Sequence, residues 1–448
     1  MRSLLLISSL VVLFGALFGF STASIAGVTQ AIADAFSLST RAIEMVVTSL
    51  LVGCFVGAVV AAPVCQRIGR KPAAFLAAGI AFAGYLLIPL GQSLAPGATL
   101  LLSARLLIGL GVGLSSMVVP MYAAEVAPSR HRGAVVSLFQ LAITIGILLG
   151  YAAPLALDGR ASWVAMLAGG GVIAGLCMAS SVLLPESPRW LLTQGRAPEA
   201  QASALRLGIL EEFGEQAETG EATVAWRAVL LRGSTTAVLL LCSALFVLQN
   251  FSGIDGILYY APRIFTELGF PAGVAALAAT FGLGLVNVIA TVAAMILVDR
   301  LGRRPLLIVG SAAMSASLTL VILASLSDWP WVALAGLCGY IVAFALSLGP
   351  LPYVLMSELF PIAIRDRGIA VASATSWLFN GIVAGSFLSV VQGIGLAATI
   401  GLFLAICLTS LAVSVLFVPE TRRVRLETIE ADVLSGKPLR RLGTSLST

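Results

Sequence analysis

Arg67-Ile68-Gly69-Arg70-Lys71-Pro72 returns later in the chain as Arg300-Leu301-Gly302-Arg303-Arg304-Pro305, an offset of 233 residues (300 − 67). The same offset carries Glu125, Pro128 and Arg132 onto Glu358, Pro361 and Arg365. Pro185-Glu186-Ser187-Pro188 then returns as Pro419-Glu420-Thr421, one residue out of step. Each charged block stands between long apolar runs. A single offset shared by several charged positions marks a duplicated chain, and internal repeats of this kind characterise transporters.

Working outward from these blocks, the composition excludes a water-soluble protein. Of 448 residues, 59% are hydrophobic and 10% charged, against about 25% charged in an ordinary soluble chain, and the mean hydropathy is +1.04. A helix needs about 20 apolar residues to cross a hydrocarbon core roughly 30 Å thick. The apolar runs predict spans near 4–27, 44–65, 73–94, 98–122, 134–157 and 163–185, and again near 236–262, 274–298, 305–326, 330–356, 368–391 and 395–418. The expected fold is therefore an all-α polytopic membrane protein with twelve transmembrane helices in two pseudo-symmetric six-helix halves. Its divisions are an N-terminal half at 1–186, a cytoplasmic linker at 187–235, a C-terminal half at 236–420 and a tail at 421–448.

The net charge of +5 follows topology rather than a nucleic-acid footprint. With both termini cytoplasmic, Arg2, Arg67, Arg70, Lys71, Arg130, Arg132, Arg189, Arg300, Arg303, Arg304, Arg365, Arg367 and the tail cations share that side. Only Arg41, Arg160 and Arg263 fall in opposite loops, the asymmetry of the positive-inside rule. The leucine-rich N-terminus is read as a retained first span, because a cleaved signal has a shorter apolar region. The six cysteines lie in or at the ends of spans with no metal or disulfide spacing, so no cofactor is expected. Asn250-Phe251-Ser252 matches a glycosylation pattern but falls inside a span. Between the halves, Ala197-Pro198-Glu199 reads as a helix start, with Leu205, Ile209, Leu210 and Phe213 as its apolar positions. A second charged helix is expected from Glu215 to Leu231, and disorder after Gly436.

The motifs now carry a resemblance. They are Arg67-x-Gly69-Arg70-Lys71, Pro120-x-Tyr122-x-x-Glu125-x-x-Pro128 with Arg132-Gly133, and Pro185-Glu186-Ser187-Pro188-Arg189-Trp190-Leu191. In the second half they are Gln249-x-x-x-Gly253-Ile254-x-x-x-x-Tyr259-Tyr260, Asp299-Arg300-x-Gly302-Arg303-Arg304 and Pro419-Glu420-Thr421. In this order they resemble the sugar porter family of the major facilitator superfamily over nearly the whole chain. The resemblance implies transport of a sugar or polyol by alternating access, as uniport or proton symport, in a plasma or inner membrane and by a monomer.

Physically, an arginine at a helix C-terminus meets the dipole favourably and can pair with a nearby carboxylate. The resemblance implies that such clusters form a cytoplasmic gate: Arg70, Glu125, Arg132, Glu186 and Arg189 in one half, and Arg303, Glu358, Arg365 and Glu420 in the other. The alternative is that each charge only anchors a helix end. First-half Ala62 and Gln66 depart from the family's usual glycine and acid.

A sugar presents a ring of hydroxyls, so its site needs amides that donate and accept, with an aromatic face beside them. Gln140, Gln249, Asn250, Asn287 and Asn380 lie within spans, with Phe18, Tyr259, Tyr353 and Trp377. Interhelical bonding is the competing reading for such amides, and the resemblance implies sugar contact at these positions. Tyr353 stands where the family often has tryptophan, and Ser376 where it often has an amide.

The coupling residues depart further. Proton-coupled members carry a first-span acid after a phenylalanine-glycine-aromatic run; here Phe18-Gly19-Phe20 is followed by Ser21. The acid's usual partner remains as Arg105, which needs carbonyls, water or a carboxylate around it in the membrane. Asp255 stands where the family usually has asparagine. It is a candidate proton carrier, a sugar or amine contact, or a fixed partner of Arg105. The expectation leans to a facilitator with Asp255 as a polar site residue. An exporter of drugs or organic anions, or a transporter-like nutrient sensor, are the alternatives; an enzyme is not expected.

Overall fold

The computed structural model describes residues 2–94, 98–157, 159–210, 233–361, 364–422 and 424–443. Among them are twelve helices long and apolar enough to cross a membrane. The first six are Ser3–Phe36, Thr40–Ile68, Arg70–Leu90, Thr99–Val126, Ser137–Leu157 and Trp163–Leu183. The second six are Thr235–Tyr259, Val274–Val298, Arg303–Leu326, Pro330–Leu359, Arg367–Ile394 and Leu396–Leu416. They are called spans 1 to 12 below. The chain divides into two compact units, Met1–Gly220 and Glu221–Thr448.

Large apolar side chains such as Val52, Val172, Leu240, Val309 and Leu323 are exposed. In water such a surface would associate; on a membrane span it meets hydrocarbon at no cost. Lipid as solvent removes the hydrophobic drive between helices, so close backbone packing has to replace it. In the first unit, spans 2 and 4 meet through reciprocal small-residue pairs, Gly53 and Gly57 on one and Gly109 and Gly113 on the other. A Cβ at Gly109 would sit 1.9 Å from the Leu50 carbonyl oxygen, and one at Gly53 2.2 Å from that of Leu106. No residue larger than glycine fits this crossing.

Among the described residues four spans are interrupted, span 6 at Gly169 between Trp163–Ala168 and Gly170–Leu183. Span 1 breaks after Ala23, with a short 3-10 turn at Ala26–Val28 before Thr29–Phe36. Span 7 breaks at Gly253 (φ +94°), between Thr235–Phe251 and Ile254–Tyr259. Span 10 breaks at Ser347-Leu348-Gly349-Pro350, between Pro330–Leu346 and Leu351–Leu359. Proline at 350 cannot continue the ladder.

After span 6, Ser187 caps the helix Pro188–Thr193 by accepting from the Trp190 N–H at 3.3 Å. The next helix, Ala197–Leu207, starts with an early proline and ends at Gly208 in the left-handed conformation, where Gly208 stops it short of Leu210. Its buried face differs from the expected one. Ala200, Ser203, Ala204 and Leu207 are buried, whereas Leu205 is 67% exposed and Leu210 43%. Small residues allow close approach to the Pro188–Thr193 helix, and Ser203 Oγ reaches the Glu186 carbonyl at 2.5 Å. The charged helix expected from Glu215 to Leu231 lies outside the described residues.

The expected disorder after Gly436 is corrected. Helix Leu426–Leu434 buries Ile429 and Val433, and the chain stays ordered through Leu442, whose side chain is also buried. Asp432 pairs with Lys437 and accepts from the Gly443 N–H at 3.0 Å. The tail is tied to the head of span 7: Ser234 N–H donates to the Val433 carbonyl at 2.9 Å and Ser234 Oγ to that of Lys437 at 2.5 Å.

Candidate functional site

The repeated charged blocks fold into two copies of one device. In the first unit, spans 2 and 3 are joined at Gly69, with φ +96° and ψ 172°. The turn exposes the first N–H groups of span 3, and Glu186 receives them: Arg70 N–H at 3.0 Å and Lys71 N–H at 3.2 Å. A carboxylate on a helix N-terminus satisfies orphan donors and complements the dipole. The Arg70 guanidinium turns back to Glu125 on span 4, with Nη2 to Oε1 at 2.9 Å and Nε to Oε2 at 3.0 Å. Ser187 Oγ donates to the same Glu125 Oε2 at 2.5 Å. Arg70 and Glu125 expose 15% and 12% of their side chains, so water screens the pair little.

The second unit repeats this arrangement, without the Nε contact that Arg70 makes to its glutamate. Gly302 has φ +96° and ψ 160°. Glu420 accepts from the N–H groups of Arg303 at 3.1 Å and Arg304 at 3.2 Å. Arg303 Nη2 reaches Glu358 Oε1 at 2.9 Å, and Thr421 Oγ1 stands in for Ser187, donating to Glu358 Oε2 at 2.5 Å. Of the other gate candidates, Arg189 is exposed on its short helix, and the side chains of Arg132 and Arg365 lie outside the described residues. Burial pushes the Glu186 carboxyl above the usual carboxylate range, against the pull of the Ser187, Lys71 and Arg70 N–H groups and of the Arg70 charge.

Within the first unit, Phe18 and Phe139 meet edge to face at 6.5 Å, and Gln140 follows on span 5. Among the described residues, the Gln140 side chain makes no hydrogen bond. Ser21 donates or accepts with Tyr85 Oη at 2.7 Å and donates to the Leu17 carbonyl at 2.6 Å. Arg105 is held by backbone carbonyls of span 2, Val46 at 2.7 Å and Val47 at 3.5 Å. The structure therefore gives Ser21 a neutral phenol as partner. Two residues were missed from sequence: Tyr85, which lacked any charge to flag it, and Glu44. Glu44 is 4% exposed on span 2, two residues before the Val46 carbonyl, and its nearness to the predicted span's edge hid its burial.

Within the second unit, the broken spans 7 and 10 and the intact span 11 bring most of the predicted polar residues together. Gln249 Nε2 donates to the Leu348 and Gly349 carbonyls at 2.7 and 2.9 Å, filling acceptors freed by the break in span 10. Asn250 donates to the Phe246 carbonyl at 2.7 Å and to Ser376 Oγ at 3.2 Å. Tyr353 leans edge-on to Phe246 at 4.8 Å and exposes 43% of its surface, so it is not sealed in the core. Tyr259 Oη donates to Asn380 Oδ1 at 3.3 Å, and Asn380 bonds the Asp255 carboxyl. Trp377 is buried on span 11. Asn287, on span 8, is 7% exposed, and its side chain makes no hydrogen bond among the described residues.

Two repeated six-span units, each with broken membrane helices and polar side chains at the breaks, define a secondary transporter. The chain belongs to the family described as "Sugar (and other) transporter", whose model matches residues 7–433. It is similar to the galactose-proton symporter of Escherichia coli, with 36% identity over 97% of this chain and 95% of that protein. The arabinose-proton symporter of the same organism is 33% identical over 96% of this chain and 93% of its own. Among solved structures, a partially occluded inward-open form of the xylose transporter of E. coli matches with a TM-score of 0.80 and 30% identity, covering 94% of this chain and 99% of that one.

Proposed function

We propose that the protein carries a monosaccharide-sized sugar or polyol, together with a proton, across a plasma or inner membrane by alternating access, working as a monomer with both termini cytoplasmic. Its similarity to galactose and arabinose proton symporters supports both the substrate class and the coupling. The observation that carries the reading is that two amides, Gln140 in one unit and Asn287 in the other, lie inside membrane spans and make no hydrogen bond among the described residues. Polar side chains inside a membrane span face a cavity or a partner, so amides that no protein group engages persist where water or a ligand can complete them. A sugar hydroxyl both donates and accepts, which matches an amide at either end. The two Gly-Arg-Glu devices then act as cytoplasmic gate elements, each keeping the ends of its own spans together through the cycle.

Purified protein in proteoliposomes tests this with labelled galactose, arabinose, xylose, glucose and inositol, with and without an acidic outside. At least one substrate is expected to show saturable uptake and, under the proton gradient, accumulation above equilibrium. No saturable uptake of any of the five refutes the sugar reading; uptake that only equilibrates refutes the coupling.

A further inference from the structure

The first span of this chain offers no acid at the position of Ser21, whose hydroxyl is already closed on Leu17 and Tyr85. A coupling proton needs a group that can be neutral on one leg of the cycle and charged on the other. In the second unit one carboxyl is built for that. Asp255 follows the break at Gly253, where span 7 leaves the regular helix ladder. A directed chain of donors ends on it: Tyr259 Oη gives its proton to Asn380 Oδ1, which leaves the Asn380 amide nitrogen as donor to the carboxyl. The other carboxyl oxygen, Oδ2, is buried and has no hydrogen-bond partner.

No ion pair reaches Asp255 among the described residues. The titratable groups around it are phenols: Tyr259 on its own segment, and Tyr340 and Tyr353 on the two segments of span 10. On the following helix, Arg263 is occupied with Glu267 at 3.6 Å. Among the described residues, span 7 carries no charged side chain besides Asp255, and span 11 carries Arg367 at its far end from Asn380 and no other. An unpaired carboxylate in such a place is costly, and the usual relief is neutralisation. One oxygen held by a fixed donor and one bare oxygen is the arrangement that accepts a single proton without rebuilding the site.

We propose that Asp255 Oδ2 is the site at which the coupling proton is carried. On the loading side a hydronium ion gives its proton to Oδ2, forming one O–H bond and a neutral carboxylic acid. On the unloading side that O–H bond breaks, the proton returns to water, and the carboxylate is regenerated. One positive charge crosses per neutral sugar. The donor chain from Tyr259 through Asn380 holds the other oxygen in both states. The inference rests on the symport reading above and locates its proton in the seventh span rather than the first.

The test uses full-length protein in proteoliposomes, with the sugar that the panel identifies. Wild type and Asp255→Asn are compared in two assays: accumulation driven by an inward proton gradient, and counterflow of labelled sugar without a gradient. The variant is expected to lose accumulation, falling to the equilibrium level, while keeping counterflow within about threefold. Its sugar affinity should also lose the pH dependence that wild type shows. Accumulation retained by Asp255→Asn overturns the inference while leaving symport standing. So does loss of counterflow along with accumulation, because that makes Asp255 a sugar contact. Loss of accumulation in Glu44→Gln with retention in Asp255→Asn also overturns it, moving the proton to span 2. A wild type that only equilibrates sugar removes the symport reading and the inference with it.

Discussion

Replacing Gly69 with alanine should damage the first charged device out of proportion to one methyl group. The backbone there, at φ +96° and ψ 172°, lies in a region that essentially only glycine enters. Placing a side chain in it costs of order 1–3 kcal/mol. The new Cβ would also stand 2.2 Å from Glu186 Oε2 and 2.9 Å from its Cδ, well inside contact. The carboxylate would have to retreat, and it is the acceptor for the Arg70 and Lys71 N–H groups. Losing one such charged hydrogen bond costs roughly 1.5–3 kcal/mol. Together the two effects come to roughly 2.5–6 kcal/mol. Gly195 supplies the control: its φ is +71° and nothing lies within 4 Å of its Cβ position, so Gly195→Ala should cost only the backbone term, about 1–2 kcal/mol. Gly302→Ala should fall between them, because its Cβ would meet Glu420 Oε2 at 2.6 Å. Equilibrium unfolding in detergent micelles, followed by circular dichroism, measures all three. A Gly69→Ala protein within about 1 kcal/mol of Gly195→Ala would refute the reasoning.

Glu125→Gln should destabilise the protein by about 1.5–3 kcal/mol through the weakened Arg70 and Ser187 bonds and slow transport, with sugar affinity held within threefold by isothermal calorimetry. Glu199→Gln, at the exposed pair with Arg196, should leave stability within error in the same unfolding assay. Gln140→Ala and Asn287→Ala should each weaken sugar binding by about 1–3 kcal/mol at unchanged stability. Gln249→Ala should lower both, since the Leu348 and Gly349 carbonyls lose their donor; calorimetry and unfolding together separate the cases. Because burial raises the Glu186 carboxyl above its ordinary value of 4.5, folding favours its protonated form. Its contribution to stability is therefore present below pH 4.5 and is lost as pH rises through the raised value. Glu186→Gln should flatten that part of the stability profile, read by unfolding in a pH series.

The spans and the charged devices were readable because both rest on local features. Apolar length marks a membrane helix wherever it folds, and a repeated Gly-Arg block marks the same turn twice. What escaped depends on neighbours distant in sequence. Gln249 reads as a sugar amide until the break in span 10, about a hundred residues on, supplies two bare carbonyls to it. Ser21 reads as a lost acid, and only the folded unit shows Tyr85 filling its place. Leu205 looked like the core of its helix, but the alanine face packs more closely, and that face is weak in any hydropathy pattern. The tail looked polar and loose because its anchoring groups, Leu442, Lys437 and the backbone at Val433, are single points rather than a run.

That anchoring has a consequence for how the second unit can be handled. Ser234 stands at the entrance to span 7, and its bonds to Val433 and Lys437 bring the unit's first and last described segments side by side. A body whose two ends are fastened to each other does not depend on a covalent neighbour to keep them in place. The second unit could thus be made as a separate polypeptide that inserts and closes alone. By the same token, a purification tag or fluorescent protein fused directly after Leu442 would pull on the mouth of span 7. A spacer is needed there before any label can be called silent.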